Sequence, residues 1–175
     1  MEHRLPAGTP GAPAPLPPGR LQFEQVAAAA LADGLIAERD RDRVRFSAQG
    51  ARNASEVHPL VLLSNLELAA SEGGELSLER LTEWLARRTG CRYLRIDPTR
   101  VDVASVTAVA SHAYARRHRF LPLAVDAERV LVATSEPLAQ EWRSDLQHLT
   151  RRQIELAMVK PLDLAGQKKE VVGVN

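Results

Sequence analysis

The apolar residues of this chain change their spacing near residue 91, and that change sets its architecture. Before residue 91 they recur at intervals of three and four, as on one face of a helix. After it, short alternating runs are interleaved with two further helical patterns. In chain order these segments are the strand RYLRI, the helix VASVTAVASHAYARRH, the strands FLPLAV and RVLVATS, the helix LAQEWRSDLQHLT and the strand QIELAMV. The order β-α-β-β-α-β predicts one sheet with both helices on one face, a two-layer open-faced α/β sandwich.

Residues 20–90 predict a separate helical subdomain in front of that sandwich, so the expected fold class is α+β. Gly34 ends the first helical pattern, and a short amphipathic helix or a charged connector follows it. Pro59 can occupy the first turn of the next helix, PLVLLSNLELAAS, which a Gly-Gly pair ends. The last helix of this half begins at the N-cap Ser77 and ends at Gly90.

The two ends of the chain differ in composition from the part between them. Residues 1–19 hold six of the 11 prolines and three of the 10 glycines, so they can neither form a helix nor contribute a core. We expect a disordered leader there and a frayed tail at residues 165–175. The predicted organisation is therefore a leader, a helical subdomain over 20–90, an α/β sandwich subdomain over 91–164, and a tail.

The charge balance argues against a domain that coats nucleic acid. The chain carries 23 Lys and Arg against 22 Asp and Glu, whereas nucleic-acid-binding domains carry a large basic excess. The single cysteine, Cys91, cannot form a disulfide within the chain and argues against a Cys-based zinc site. No apolar run approaches the ~20 residues that span a bilayer, and no secretion signal is present. We therefore expect a cytoplasmic location.

The motifs that mark reactive sites are missing from the sequence. It contains no G-x-x-x-x-G-K-[ST] phosphate loop, no G-x-G-x-x-G after a strand, no H-E-x-x-H and no G-x-S-x-G. The five histidines are dispersed, without the spacing of metal ligands. We therefore predict no catalytic residue, no metal site and no cofactor, and classify the chain as a non-enzyme.

A basic cluster made of Arg116, Arg117 and Arg119 precedes the two central strands. Arginines in this arrangement can grip phosphates or the carboxylates of a partner. Positive charge at the C-terminus of a helix is also favourable by roughly 0.3–1 kcal/mol per residue, which alone accounts for the placement. The strands that follow carry no interleaved aromatic residues on which bases could stack. We interpret the cluster as a helix end, with these three arginines as candidate partner-binding residues.

The second half resembles a known family in the order of its segments. LSLERLTEWLARRTGCRYLRIDPTRVD, YARRHRFLPLAVDAERVLVATSEP and DLQHLTRRQIELAMVKPLDL are similar, in that order, to the N-terminal domain of type II secretion and type IV pilus assembly ATPases, the traffic ATPases. The similarity covers residues 77–164. It implies a non-catalytic docking or regulatory domain that binds the cytoplasmic part of an inner-membrane platform protein and is joined to an ATPase core in cis or in trans. It also implies a peripheral location at the inner membrane through that partner.

Some members of that family bind cyclic di-GMP through a helical motif that resembles R-L-G-x-x-L-x-x-x-G. The nearest match here, QVAAAALADGLI, has Gln25, Val26 and Ala27 at the Arg, Leu and Gly positions, while residues 34–36 fit. Without the arginine the motif lacks a bidentate partner for phosphate or guanine, so we do not predict cyclic di-GMP as a ligand. A cyclic di-GMP or other nucleotide-sensing module is the alternative function. Nucleic-acid binding ranks below it, and we predict no nucleic-acid partner.

Overall fold

The structure is a computed structural model that describes residues 14–50, 57–97, 110–139 and 141–161. Its helices are α1 (Phe23–Ala32), α2 (Arg41–Gly50), α3 (Pro59–Asn65), α4 (Leu78–Thr89), α5 (His112–Arg117) and α6 (Glu141–Thr150), with a 3₁₀ turn at Glu38–Asp40. Its strands are β1 (Arg92–Tyr93), β2 (Phe120–Val125), β3 (Arg129–Thr134) and β4 (Gln153–Met158). Helical elements come first and the sheet follows, which confirms the predicted α+β class.

The strands form one four-stranded sheet in the order β1-β4-β3-β2. β1 and β3 both run parallel to β4, and β2 runs antiparallel to β3. β2 is therefore an edge strand, a position that suits Pro122 because proline has no backbone N–H to donate to a neighbour, and its register with β3 shifts between Pro122 and Ala124. β1 is shorter than the predicted strand RYLRI and pairs only with Ala157 and Met158. Beyond that pair, β4 extends past β1 toward its own N-terminal end.

Helices α5 and α6 pack on the same face of the sheet. Trp142 and Leu146 of α6 and Ala115 of α5 share one buried cluster with Phe120 of β2 and Val130 of β3. The rings of Phe120 and Trp142 are stacked, with their centroids 4.5 Å apart. This arrangement confirms the predicted sandwich, in which one layer is the sheet and the other is the pair of helices.

The helical subdomain has its own core, which reaches into the sheet. Helices α1, α3 and α4 contribute fully buried side chains, among them Val26, Leu60, Leu81 and Leu85. Met158, at the C-terminal end of β4, belongs to the same buried cluster. The two predicted subdomains therefore share apolar packing instead of being joined by a bare linker.

Helix α4 begins and ends where its sequence predicts. The Ser77 hydroxyl accepts a hydrogen bond from the Arg80 N–H at 3.2 Å and so caps the N-terminus. Gly90 has φ +68°, a left-handed conformation that favours glycine and ends the helix. This end places the next residues of the chain beside β4.

The helix predicted from Pro59 through residue 71 is wrong beyond Asn65. Glu67 adopts a positive φ of 50°, which turns the chain out of the helix. Ala70 then forms an antiparallel bridge with Ile36, which follows α1. Sequence periodicity cannot foresee this pairing, because it depends on a backbone segment more than 30 residues away.

Two expectations about the helices over the sheet are also corrected. The helix predicted to run to His118 is not continuous at Ser111, which is extended with ψ 147° and caps α5 by accepting from the Tyr114 N–H at 3.2 Å. The earlier part of that predicted helix, residues 103–109, lies outside the described residues. The spacing of Leu138, Trp142, Leu146 and Leu149 predicts one buried stripe along the last helix. Leu149 is instead 73% exposed, because it lies in the last turn of α6, beyond the side chains that pack on the sheet.

The ends of the chain are described only in part. Residues 1–13 and 162–175 lie outside the described residues, so the leader, the tail and the domain boundaries stay predictions. Closer to α1, the Gly19 N–H donates to the Leu138 carbonyl at 2.9 Å. Within the described ranges, none of the helices combines the length and the apolarity that crossing a bilayer requires.

Candidate functional site

A buried carboxylate, Glu136, lies where the helical subdomain meets the sheet. It follows β3 and is only 2% exposed. The Leu21 N–H donates to its Oε2 at 2.9 Å, and Arg119 Nη1 donates to its Oε1 at 2.9 Å. The Nε of Arg20 lies 4.0 Å from the same Oε1. Glu136 thus connects the segment before α1 to the turn before β2.

The backbone around β3 fixes the position of this carboxylate. The Glu136 N–H donates to Thr134 Oγ1 at 2.9 Å, and the Thr134 hydroxyl donates to the Arg119 carbonyl at 3.3 Å. Arg119 has φ +55°, a left-handed conformation at the turn from α5 into β2. Its side chain is 18% exposed and is directed to Glu136 instead of to solvent.

His58 extends the same polar cluster to α3, which it caps. Its Nδ1 accepts from the Leu60 N–H at 3.1 Å, and its Nε2 lies 2.7 Å from the Ser135 carbonyl. A neutral imidazole with its proton on Nε2 satisfies both contacts. Burial, together with the nearby charges of Arg119 and Arg20, lowers the pKa of His58 to about 4, although the contact with Ser135 opposes this fall.

We call Arg20, Leu21, His58, Arg119 and Glu136 the junction. Burial raises the pKa of Glu136, while the Leu21 N–H and the charge of Arg119 oppose that rise. Burial likewise lowers the pKa of Arg119, and Glu136 opposes that fall. The polar groups of the junction contact one another across three segments of the chain. These contacts hold the segments together.

The structure separates the three arginines that the sequence singled out. Arg116 and Arg117 are exposed in the last turn of α5. Arg119 lies at the junction, paired with Glu136. Their role in partner binding stays a prediction, and for Arg119 the observed contact is inside the chain.

A cleft of about 610 Å³ lies beside β4, between that strand and the turn from α4 into β1. The arginines Arg92, Arg129 and Arg143 line it together with one carboxylate, Glu155. Arg92 Nη1 is 3.6 Å from Glu155 Oε1, and both side chains remain about half exposed. We call this feature the edge cleft. Sequence reasoning missed it because its arginines come from β1, β3 and α6 and are not neighbours in the chain.

The segment that matches the cyclic di-GMP motif forms α1 and the turn after it. Gln25, at the position of the motif arginine, is exposed, whereas Val26 and Ala27 are fully buried. Gly34 has φ +68° and lines a cleft of about 150 Å³ that also contains Arg80. The turn of the motif is therefore present, and its arginine is not.

Metal and thiol chemistry find no support in the described part of the chain. Across these residues, no three His, Cys, Asp or Glu side chains are grouped so that they could hold a metal ion. Burial raises the pKa of the Cys91 thiol, so it stays protonated at neutral pH. Its Sγ lies 3.8 Å from the Leu156 carbonyl, as expected for a packed thiol.

Comparison with known proteins identifies relatives of this chain. Residues 89–167 match the family model of the MshEN domain. The type IV pilus assembly ATPase TfpB of Acinetobacter baylyi is 33% identical over 136 residues, which make up 75% of this chain and 23% of that protein. The chain thus spans about a quarter of the length of this curated relative.

Two solved structures are similar in fold. A structure of MshE with cdg has a TM-score of 0.57 at 19% sequence identity, and the similarity covers 87% of this chain and 99% of that chain. The N-terminal domain of XpsE has a TM-score of 0.49 at 14% identity, covering 86% of this chain and 96% of that chain. At 19% identity, the likeness to MshE shows the fold alone.

The family model and TfpB establish the relationship itself. The matched residues 89–167 include nearly all of the α/β sandwich, the same part of the chain in which the order of segments resembles the traffic ATPases. Residues 89–167 are thus an MshEN domain, and the chain is homologous to the type IV pilus assembly ATPase TfpB.

Proposed function

We propose that this chain is a non-catalytic docking and regulatory domain that binds the cytoplasmic part of an inner-membrane platform protein. The homology to TfpB supports a place in a pilus or secretion motor. In this proposal the ATPase core is joined to the chain in cis or in trans, and the platform protein brings both to the inner membrane.

The junction is the observation that carries the proposal. In this proposal the domain connects a motor to a partner, so its two parts have to stay fixed relative to each other. Glu136 receives hydrogen bonds from Leu21 and Arg119, and so ties the segment before α1 to the hairpin of the sheet. A satisfied buried polar network has few alternative geometries, which favours one mechanical unit.

The exposed basic end of α5 is a second element of the proposal. Arg116 and Arg117 face solvent and can form charge-assisted hydrogen bonds with carboxylates of a partner. We propose Arg119 as a residue that holds the α5–β2 turn in place through Glu136, so that it supports this surface from within.

A pull-down tests the docking proposal directly. The chain serves as bait for the separately expressed cytoplasmic part of the platform protein from the same cell, and an ATPase core that lacks this chain serves as control. We expect capture by the chain and none by the control. If a chain that unfolds cooperatively does not capture the platform protein, the docking proposal is wrong.

Cyclic di-GMP binding is the second candidate, favoured by the similarity to MshE with cdg. The turn at Gly34 fits the motif, and Gln25 at the arginine position opposes binding. Calorimetric titration with cyclic di-GMP separates the two candidates, because micromolar binding would make the chain a sensor. If the site is otherwise intact, Gln25→Arg should strengthen that binding, since arginine supplies a bidentate donor to phosphate or guanine.

A further inference from the structure

The segment before α1 is held by hydrogen bonds on both sides of Arg20. The Gly19 N–H donates to the Leu138 carbonyl at 2.9 Å, and the Leu21 N–H donates to Glu136 Oε2 at 2.9 Å. These two bonds fix the backbone directly before and directly after Arg20. The chain therefore pays little further ordering entropy when a partner contacts the Arg20 side chain.

The side chain of Arg20 lies beside the turn from α5 into β2. Its Nε is 4.0 Å from Glu136 Oε1, the oxygen that accepts a hydrogen bond from Arg119 Nη1 at 2.9 Å. The side chain of Glu136 is only 3% exposed, whereas that of Arg20 is 53% exposed. The carboxylate is thus hidden from a partner, and the guanidinium group beside it is accessible.

The basic end of α5 begins at the same turn. The Arg119 N–H donates to the Arg116 carbonyl at 3.4 Å, and both Arg116 and Arg117 are exposed. Arg20 therefore adds a cation from the segment before α1 to the arginines at the end of α5. We call Arg20, Arg116 and Arg117 the basic rim, which takes its residues from both subdomains.

Arg20 and Arg119 are like charges at short range. Burial lowers the pKa of Arg119, Glu136 opposes that fall, and the charge of Arg20 adds to it. The two guanidinium groups therefore repel each other in the free chain. A carboxylate that a partner places beside Arg20 would offset this repulsion and form a charge-assisted hydrogen bond with the accessible guanidinium group.

We propose that the basic rim binds an acidic segment of the docking partner, whose carboxylates contact Arg20 and the end of α5 at the same time. This step rests on the docking function proposed above. It adds Arg20 to the docking surface and names the chemistry of the partner. Because Arg20 precedes α1 and α5 belongs to the sandwich, the bound segment also fastens the two subdomains to each other.

Other sources of negative charge fit the basic rim less well. The whole chain has a formal net charge of only +1, whereas domains that bind nucleic acid carry a large basic excess. The longer segments of this chain outside the described ranges each carry as many Lys and Arg as Asp and Glu, namely residues 1–13, 51–56, 98–109 and 162–175. Charge complementarity therefore favours an acidic segment of a separate protein.

Titration of the platform protein's cytoplasmic part into the full chain and its variants tests the proposal. Arg20→Gln removes the charge and should weaken binding about five- to tenfold, whereas Arg20→Lys keeps the charge and should stay within about twofold of the native chain. Arg39→Gln removes an exposed charge elsewhere in the helical subdomain and should leave the affinity unchanged. Equal affinities of the native chain and Arg20→Gln would overturn the proposal, as would equal weakening by Arg20→Gln and Arg20→Lys.

Hydrogen exchange of the Leu21 amide gives a second readout that needs no variant. This N–H donates to Glu136, so it exchanges when the segment before α1 separates from the sheet. With the partner at about ten times its Kd, exchange should be about tenfold slower, because separation would break the contacts of the partner with Arg20. An unchanged exchange rate at saturation would contradict a segment that fastens the two subdomains.

A peptide probe separates failure of this surface from failure of the docking function. A peptide of six glutamates should shift the NMR signal of the Arg20 Nε–H group, and a peptide of six lysines should leave it unchanged. If the glutamate peptide shifts this signal while the platform protein fails to bind, the surface stands and the docking partner is wrong. If the platform protein binds and the glutamate peptide leaves the signal unchanged, docking stands and the basic rim is not the acid-binding surface.

Discussion

At the scale of single residues, His58 and Glu136 show how burial sets the ionisation of the junction. His58 is held neutral chiefly by burial, which with the nearby arginine charges lowers its pKa to about 4, and its two ring nitrogens contact the Leu60 N–H and the Ser135 carbonyl. Glu136 is held by donors from two other segments of the chain. The stability of the junction should therefore depend on pH and on each partner being present.

Acidification is the first test at this scale. The unfolded chain takes up a proton at His58 near pH 6.5, and the folded chain does so only near pH 4. The free energy of unfolding should therefore fall as the pH drops from 6.5 to 4, with a loss approaching roughly 3 kcal/mol from this group. Glu136 has the opposite effect, because its pKa is raised in the folded chain. Over its own titration range it makes the free energy of unfolding rise as the pH falls.

Urea unfolding across this pH range measures the effect. His58→Asn keeps an N-cap acceptor for α3 and removes the titrating ring. The variant should show a flatter dependence of the free energy of unfolding on pH between 6.5 and 4. If the free energy of unfolding depends on pH equally steeply in the variant and in the native chain, then His58 does not cause this pH dependence.

Truncation of the buried carboxylate is the second test. Glu136→Ala should lower the free energy of unfolding by about 3 kcal/mol, because it leaves the Arg119 charge and the Leu21 N–H without this acceptor. Arg45→Ala removes an exposed ion pair with Asp42 and should cost less than ~1 kcal/mol. Similar losses for the two variants, measured by chemical denaturation, would show that the junction does not stabilise the fold.

Sequence reasoning had no access to the role of Arg119. In the sequence it is one of three arginines at a helix end, and the dipole argument treats them alike. Its left-handed φ and its contact with Glu136, 17 positions later, depend on the folded hairpin. Ser77 and Gly90, in contrast, could be predicted because a helix cap involves only neighbouring residues.

At the scale of elements, α6 shows which part of a helical pattern becomes core. Trp142 and Leu146 are fully buried against the sheet, while Leu149 is 73% exposed. The spacing of the three residues predicted one stripe for all of them. Periodicity gives the face of a helix, and it does not tell how far along its length the neighbouring layer extends.

A matched pair of truncations on α6 tests this assignment. Leu146→Ala should lower the free energy of unfolding by roughly 2–5 kcal/mol, because it opens a cavity in a packed cluster. Leu149→Ala should change it by no more than about 0.5 kcal/mol. Thermal or urea unfolding of both variants measures these changes in the free energy of unfolding. A comparable loss for Leu149→Ala would mean that the Leu149 side chain is buried and not exposed.

The segment after α3 shows how pairing between distant segments replaces a helix that the local sequence predicts. Its apolar residues fit a continued helix, yet the chain leaves the helix at Glu67 and Ala70 pairs with Ile36. Strand-like pairing between distant segments overrides local propensity whenever it satisfies more backbone groups and buries more apolar surface. The short β1 arises in the same way, because its length depends on how much of β4 it reaches.

At the scale of the whole molecule, the helical subdomain and the sandwich are held together by an apolar and a polar contact. Met158 joins the core of the helical subdomain, and Glu136 ties the segment before α1 to the hairpin. The two-layer sandwich could be predicted from the order of elements alone, whereas the strand order β1-β4-β3-β2 could not. The junction and the edge cleft could not, since both bring together residues from three or more separate segments.

The central claim is that this unit docks onto the cytoplasmic part of an inner-membrane platform protein, and isothermal titration of that protein into the full chain tests it most directly. We predict saturable binding with one site per chain. The absence of any binding heat at two temperatures, from a chain that unfolds cooperatively, would contradict the account.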